Sequence, residues 1–163
     1  MKSFYIIIRG PLGIGKTTIS RALAEEIDAE YISIDEVLEK NNLDKIEGEC
    51  IPAKNFLKAN KLIVPKAKKF LDNHKSLIFD GNFYHKEQIE DLIKNLKYKN
   101  YIFTLKASLK SCVERDKNRK SIYGEDATKA VYSIASKFDY GIEINTENKT
   151  IKEIVNEIKE SLK

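Results

Sequence analysis

Short apolar runs alternate along the chain with stretches of helical periodicity, the order that builds a parallel α/β sheet. The runs predict strands over residues 4–9, 30–33, 76–80, 101–106 and 142–145. The periodic stretches predict helices over 16–27, 35–41, 53–73, 86–95, 108–119, 126–138 and 151–162. Pro65 lies inside the longest of these and is expected to break it, because proline lacks an N–H and its ring crowds the preceding turn. Five short strands joined by right-handed crossovers make a three-layer α/β/α sandwich, read as one domain over 1–163. In such a sheet, ligands lie beyond the carboxyl ends of the strands.

The first of those carboxyl ends carries the most informative residues. Directly after the run ending at Arg9, the chain reads Gly10-Pro11-Leu12-Gly13-Ile14-Gly15-Lys16-Thr17-Thr18, a G-x-x-x-x-G-K-T loop between a strand and a helix. The glycines let backbone N–H groups turn inward and form a nest for phosphate oxygens. The following helix points its N-terminus, equivalent to about +0.5 charge, at the same spot. The predicted phosphate cradle is Gly10, Leu12, Gly13, Ile14, Gly15, Lys16, Thr17 and Thr18. Lys16 is expected on the β- and γ-phosphates and the Thr17 hydroxyl on Mg²⁺.

Two carboxylates follow later strands. Asp35 closes Tyr31-Ile32-Ser33-Ile34-Asp35 and is read as the group that accepts the proton of an attacking hydroxyl or orients Mg²⁺-bound water; a plain helix N-cap is the alternative. Asp80 closes Ser76-Leu77-Ile78-Phe79-Asp80 and is read as a ligand of Mg²⁺, directly or through water, against a simple Asp80-Gly81-Asn82 turn. Arg115 and Arg119 are spaced to project from one helical face. Guanidinium groups there would clamp the equatorial oxygens of a transferring phosphoryl group, as a lid over about 112–125; the alternative is a surface helix paired with Glu114 and Asp116. His74 and His85 show neither metal-ligand spacing nor a nucleophile's context. The least regular stretch, 42–52, opens a substrate-covering segment expected to run to about 73.

Composition sharpens this modestly. Cys50 and Cys112 are far apart and lack C-x-x-C partners, which argues against zinc and a disulfide framework. No apolar run approaches the ~18 residues of a membrane span, and the chain enters a strand soon after Met1-Lys2-Ser3, so a cytoplasmic protein without membrane contact is expected. Net charge is +4, unevenly spread: residues 54–120 hold 17 Lys/Arg against 7 Asp/Glu, whereas 25–49 hold 10 acids and 2 lysines. A positive middle suits an anionic substrate; a solvated lysine face is the alternative.

The order of the Gly10–Thr17 loop, Asp35, Asp80-Gly81-Asn82, Arg115-x-x-x-Arg119 and a final Ile142-Glu143-Ile144-Asn145-Thr146 strand resembles the small P-loop kinases. These include adenylylsulfate, shikimate, gluconate and nucleotide kinases and the polynucleotide 5′-hydroxyl kinases. Cys112-Val113-Glu114-Arg115-Asp116 is similar to adenylylsulfate kinase, which continues Lys-Gly-Leu-Tyr where this chain has Lys117-Asn118-Arg119-Lys120. The polynucleotide kinases usually carry an arginine soon after the base, where this chain has Leu38, Glu39 and Lys40. The resemblance implies a P-loop nucleoside triphosphate hydrolase sheet of order 2-3-1-4-5, with ATP and Mg²⁺ as cofactors. It also implies γ-phosphoryl transfer to a hydroxyl of a small or nucleotide-like anionic acceptor, a nucleic acid 5′ end being an alternative. Lys16, Asp35, Arg115 and Arg119 would be catalytic, Arg115 and Arg119 would also hold nucleotide with adenine near 146–148, and Thr17 and Asp80 would hold the metal. The reading from another class, a nucleotide-hydrolysing switch without an acceptor, has no N-K-x-D guanine motif behind it.

Overall fold

The structure, a computed structural model, describes residues 3–119 and 123–163. Its elements run β1 (Phe4–Arg9), α1 (Lys16–Ile27), β2 (Glu30–Ser33), α2 (Ile34–Lys40), α3 (Ala53–Asp72), β3 (Leu77–Asp80), α4 (Lys86–Asn95), β4 (Lys99–Lys106), α5 (Leu109–Lys117), α6 (Glu125–Ala135), β5 (Ile142–Asn145) and α7 (Ile151–Glu160). The strands form one parallel sheet in the order β2-β3-β1-β4-β5, as the resemblance implies.

β1 is central and buried on both faces, which is why it reads as a continuous apolar run rather than an alternation. Tyr5 and Ile7 enter the core shared with α3 and α4, while Ile6 and Ile8 enter the core shared with α1 and α7. Because every strand points the same way, the loop after β1 and the ends of β2 and β3 gather at one edge. In register, Ile8 of β1 and Ser33 of β2 both lie opposite Asp80 of β3.

α3 continues through Pro65, contrary to the predicted break. Pro65 and Lys61, the residue whose carbonyl loses its helical donor, both lie on the exposed face, so that carbonyl can be hydrated at little cost. The opposite face inserts Phe56, Ala59, Ala67 and Leu71 into the core, and most of the helix lysines point outward. α3 is therefore part of the sandwich, and of the segment 42–73 expected to cover substrate only the irregular part before Ala53 borders the cleft.

Candidate active site

The loop after β1 is held in a geometry that glycine alone allows. Gly15 is the N-cap of α1 at φ 97°, with no side-chain cap and no acidic residue in the first turn, so the leading N–H groups stay available to an anion. Gly13 sits at φ +74°, and a Cβ there would come within 2.2 Å of the Cys112 carbonyl oxygen, so the loop lies directly against the backbone of α5. The buried Lys16 ammonium arches back to donate to the Pro11 carbonyl at 2.7 Å. Burial pulls its pKa below the ordinary lysine value, Asp80 and Asp35 pull it back up, and Arg119 opposes them.

Thr17 and Asp80 meet. The Thr17 hydroxyl donates to Asp80 Oδ2 at 2.8 Å, and the Tyr31 hydroxyl donates to the same oxygen at 2.7 Å. Asp80 is 3 % exposed, and its Oδ1 is buried with no hydrogen-bond partner among the described residues. A buried carboxylate oxygen left over beside a threonine hydroxyl is an all-oxygen donor pair, which fits Mg²⁺: that ion takes one or two protein oxygens and completes its shell with phosphate and water.

Both arginines reach the loop, by a different route than the one expected. α5 ends at Lys117 with Asn118 as its C-cap, so Arg119 lies beyond the helix instead of one turn along its face. Lys120 and the 120–122 portion of the expected lid lie outside the described residues. Even so, Gly13, Lys16, Thr17, Arg115 and Arg119 line one cavity of about 220 Å³. Arg115 donates to the Ile14 carbonyl at 3.3 Å and to Thr146 Oγ1 and O at 3.0 and 3.1 Å, tying the phosphate loop to the turn after β5. Arg119 lies 5.7 Å from the Tyr123 ring centroid. Asp116 is buried and accepts from the Tyr123 and Gly124 N–H groups, so it ties α5 to the start of α6 and makes no ion pair with an arginine among the described residues.

Asp35 stands at a second cavity. Ser33 caps α2 by accepting from the Glu36 N–H at 3.3 Å, which leaves Asp35 in the first turn and not acting as the cap. Its carboxylate opens, with Leu12 and Asn82, into a cavity of about 340 Å³. The side chain stays open to solvent at the mouth, yet protein surrounds the carboxyl closely enough for desolvation to raise its pKa above the ordinary aspartate value. Lys16 lowers that pKa and Asp80 raises it further. Asp35 is therefore within electrostatic reach of both Lys16 and Asp80.

Tyr31 and Arg9 were not singled out from sequence, and Tyr84 and His85 were considered there but given no site role. Tyr31 shares Asp80 Oδ2 with Thr17, and its ring is stacked under Arg21 at 4.6 Å. Arg9 is fully buried and donates to the carbonyls of Phe83, Ala135 and Phe138 and to Thr104 Oγ1 at 2.9–3.2 Å. It clamps the C-terminus of α6, which walls the second cavity, to the sheet. A lone arginine at the end of an apolar strand was the available signal. Tyr84 Oη accepts from the Ile51 N–H at 3.2 Å, and His85 Nε2, facing the Ile51 carbonyl at 2.8 Å, must donate to it. His85 thus pins the segment that covers the cavity.

Among the described residues, no lysine or arginine of the positive middle of the chain lines this cavity. Its described lining carries Asp35, Glu39, Asp44 and Glu49 and no lysine or arginine, which does not match the expectation of an anionic acceptor drawn from the lysine count. The lysines were counted along the chain, and amphipathic packing turns those of α3 outward.

Comparison with known proteins agrees with this architecture. The AAA domain family model matches residues 6–136. A Pyrococcus furiosus protein named "Putative adenylate kinase" is 26% identical over 161 residues, covering 94% of this chain and 81% of that protein. A shikimate kinase of Bacillus cereus is 26% identical over 186 residues, covering 99% of both. The APS kinase of Mycobacterium tuberculosis, determined with AMPPNP and APS, superposes with a TM-score of 0.74 at 11% identity, over 99% of this chain and 98% of that one. With the family model spanning most of the sheet and its phosphate loop, the chain belongs to the AAA domain family, among the P-loop kinases.

Proposed function

We propose that the protein is an ATP- and Mg²⁺-dependent phosphotransferase that moves the γ-phosphoryl group to an alcohol. The observation that carries this reading is the pairing of two cavities. One is built by the phosphate loop with Arg115 and Arg119, and the other receives the Asp35 carboxylate, whose pKa responds to Lys16 and Asp80. A switch that only hydrolyses nucleotide has no need of a separate, largely apolar cavity beside such a carboxylate.

In this reading the backbone of Gly13 to Thr18 and Lys16 hold the phosphates, and Thr17 with Asp80 would hold Mg²⁺. The ion, when bound, neutralises charge on the β- and γ-oxygens. Asp35 accepts the proton of the acceptor hydroxyl as its oxygen bonds to the γ-phosphorus. The bond from that phosphorus to the β,γ-bridging oxygen breaks, ADP leaves, and a phosphate monoester remains. Arg119, and Arg115 through its hold on the loop, complete the positive wall around the moving charge. The direct test is a screen with γ-labelled ATP over nucleosides, nucleotides, sugar acids, amino alcohols and 5′-hydroxyl oligonucleotides. Label in an organic monoester supports the reading, and label only in inorganic phosphate across the screen rejects it.

A further inference from the structure

Resting on the kinase reading, we propose that the acceptor is a cationic amphiphilic alcohol: an apolar or aromatic body bearing a hydroxyl and a protonated amine. The cavity beside Asp35 has the wrong chemistry for an anion. Asp35, Glu39, Asp44 and Glu49 all line it, and none of the four makes an ion pair among the described residues. All four are solvent-exposed; an anionic acceptor would bring a like charge against that wall, whereas an ammonium would be drawn in.

Charge alone would describe only an acidic rim. The independent observation is Asn82, 9 % exposed, which lines the same cavity with its Oδ1 buried and unpartnered among the described residues. A buried amide oxygen without a donor is unfavourable, and a turn of the amide toward the cavity would let a ligand hydroxyl or ammonium satisfy it. Most of the remaining wall is apolar, including Leu12, Leu38, Ile51, Tyr84 and Val131. Ile46 and Tyr123 line its mouth although 69% and 53% exposed, and an apolar body seated beneath them would cover both. Such an occupant places its hydroxyl at Asp35 and its charged nitrogen toward Asp44 and Glu49. The transfer is then the one described above: the alcohol oxygen gains the phosphoryl group, Asp35 takes the proton, and ADP leaves.

Three phenyl-bearing primary alcohols of similar size differ in charge: phenylalaninol (cationic), 3-phenylpropan-1-ol (neutral) and tropate (anionic). Their affinities for the full-length protein are measured calorimetrically in the presence of AMPPNP and Mg²⁺, and their phosphorylation is measured separately with labelled ATP. The expected order is cation over neutral over anion, with at least about tenfold between the first and last. In the double variant Asp44→Asn, Glu49→Gln the order collapses to within about threefold, with AMPPNP affinity reporting that the variant is folded. Tropate binding as well as phenylalaninol, no binding by any of the three, or an order insensitive to the double variant overturns the proposal. The expected charge order without phosphorylation of any acceptor in the wider screen leaves the cavity's preference standing and counts against the kinase reading alone.

Discussion

Thr17 of the phosphate loop and Asp80 at the end of β3 are joined by a 2.8 Å hydrogen bond, 63 residues apart in sequence. The bond couples the two elements that would hold Mg²⁺ and explains the short reach between them: β1 and β3 are neighbours in register, so whatever follows β1 lies beside the end of β3. Asp80 Oδ2 is occupied by Thr17 and Tyr31, which leaves Oδ1 without a hydrogen-bond partner among the described residues and makes it the oxygen that would turn to Mg²⁺.

Asp80→Asn removes that charge while keeping the shape. We expect kcat to fall by at least ~100-fold, as for other losses of preorganised charge, and the Mg²⁺ concentration for half-maximal rate to rise. Tyr31→Phe, which removes one of two donors to Oδ2, should lower the rate by less, on the order of tenfold. A Mg²⁺ titration of turnover in both variants checks this; equal effects of the two would contradict the assignment.

Asp35 has its pKa raised above 3.8, with desolvation the main cause. The folded state therefore holds this proton more tightly than the unfolded chain. Asp35 favours folding fully below pH 3.8, and that contribution is lost as pH rises through the raised folded value. Asp35→Asn should accordingly melt higher than wild type at pH 7, with the gap closing as pH falls through the raised folded value and closed below 3.8. The same variant should lose most phosphoryl transfer. In wild type, kcat/KM should rise with pH along a limb lying above the usual aspartate range. Thermal melts across pH, set beside a pH–rate profile, check both halves.

Arg9 carries the α6 wall. Its guanidinium, pushed down to about 10 by burial with Asp139 opposing, remains charged at neutral pH. Arg9→Met would strand the carbonyls of Phe83, Ala135 and Phe138. Unfolding in urea should show a loss on the order of 3 kcal/mol, and the remaining folded protein should bind acceptor more weakly than nucleotide. A loss below about 0.5 kcal/mol would show that the clamp is dispensable.

The phosphate loop was legible because it is a local device: its glycines, lysine and threonine act through consecutive backbone positions. Asp35 and Asp80 were legible as strand-end carboxylates because parallel strands bring their ends together. What sequence hid was set by long-range packing. Tyr31 gains meaning only when β2 and β3 pair, and Arg9 only when α6 folds back over β1. The acidic character of the cavity beside Asp35 depends on how the 42–52 segment lies over the cleft, and the lysines of α3 misled because their count ignores which face the core takes. Pro65 misled for a related reason, since its unpaired carbonyl falls on the wet side of the helix.

Lys16→Ala should lower turnover by at least ~100-fold, but this holds for any reaction at the γ-phosphate and does not separate transfer from hydrolysis. The fate of the label does. With γ-labelled ATP, Mg²⁺ and an accepted alcohol, wild type should place most of the label in a phosphate monoester, and Asp35→Asn should lose that product with little gain in inorganic phosphate. Label released only as inorganic phosphate, at a rate the Asp35→Asn change leaves untouched, would contradict the phosphotransferase account.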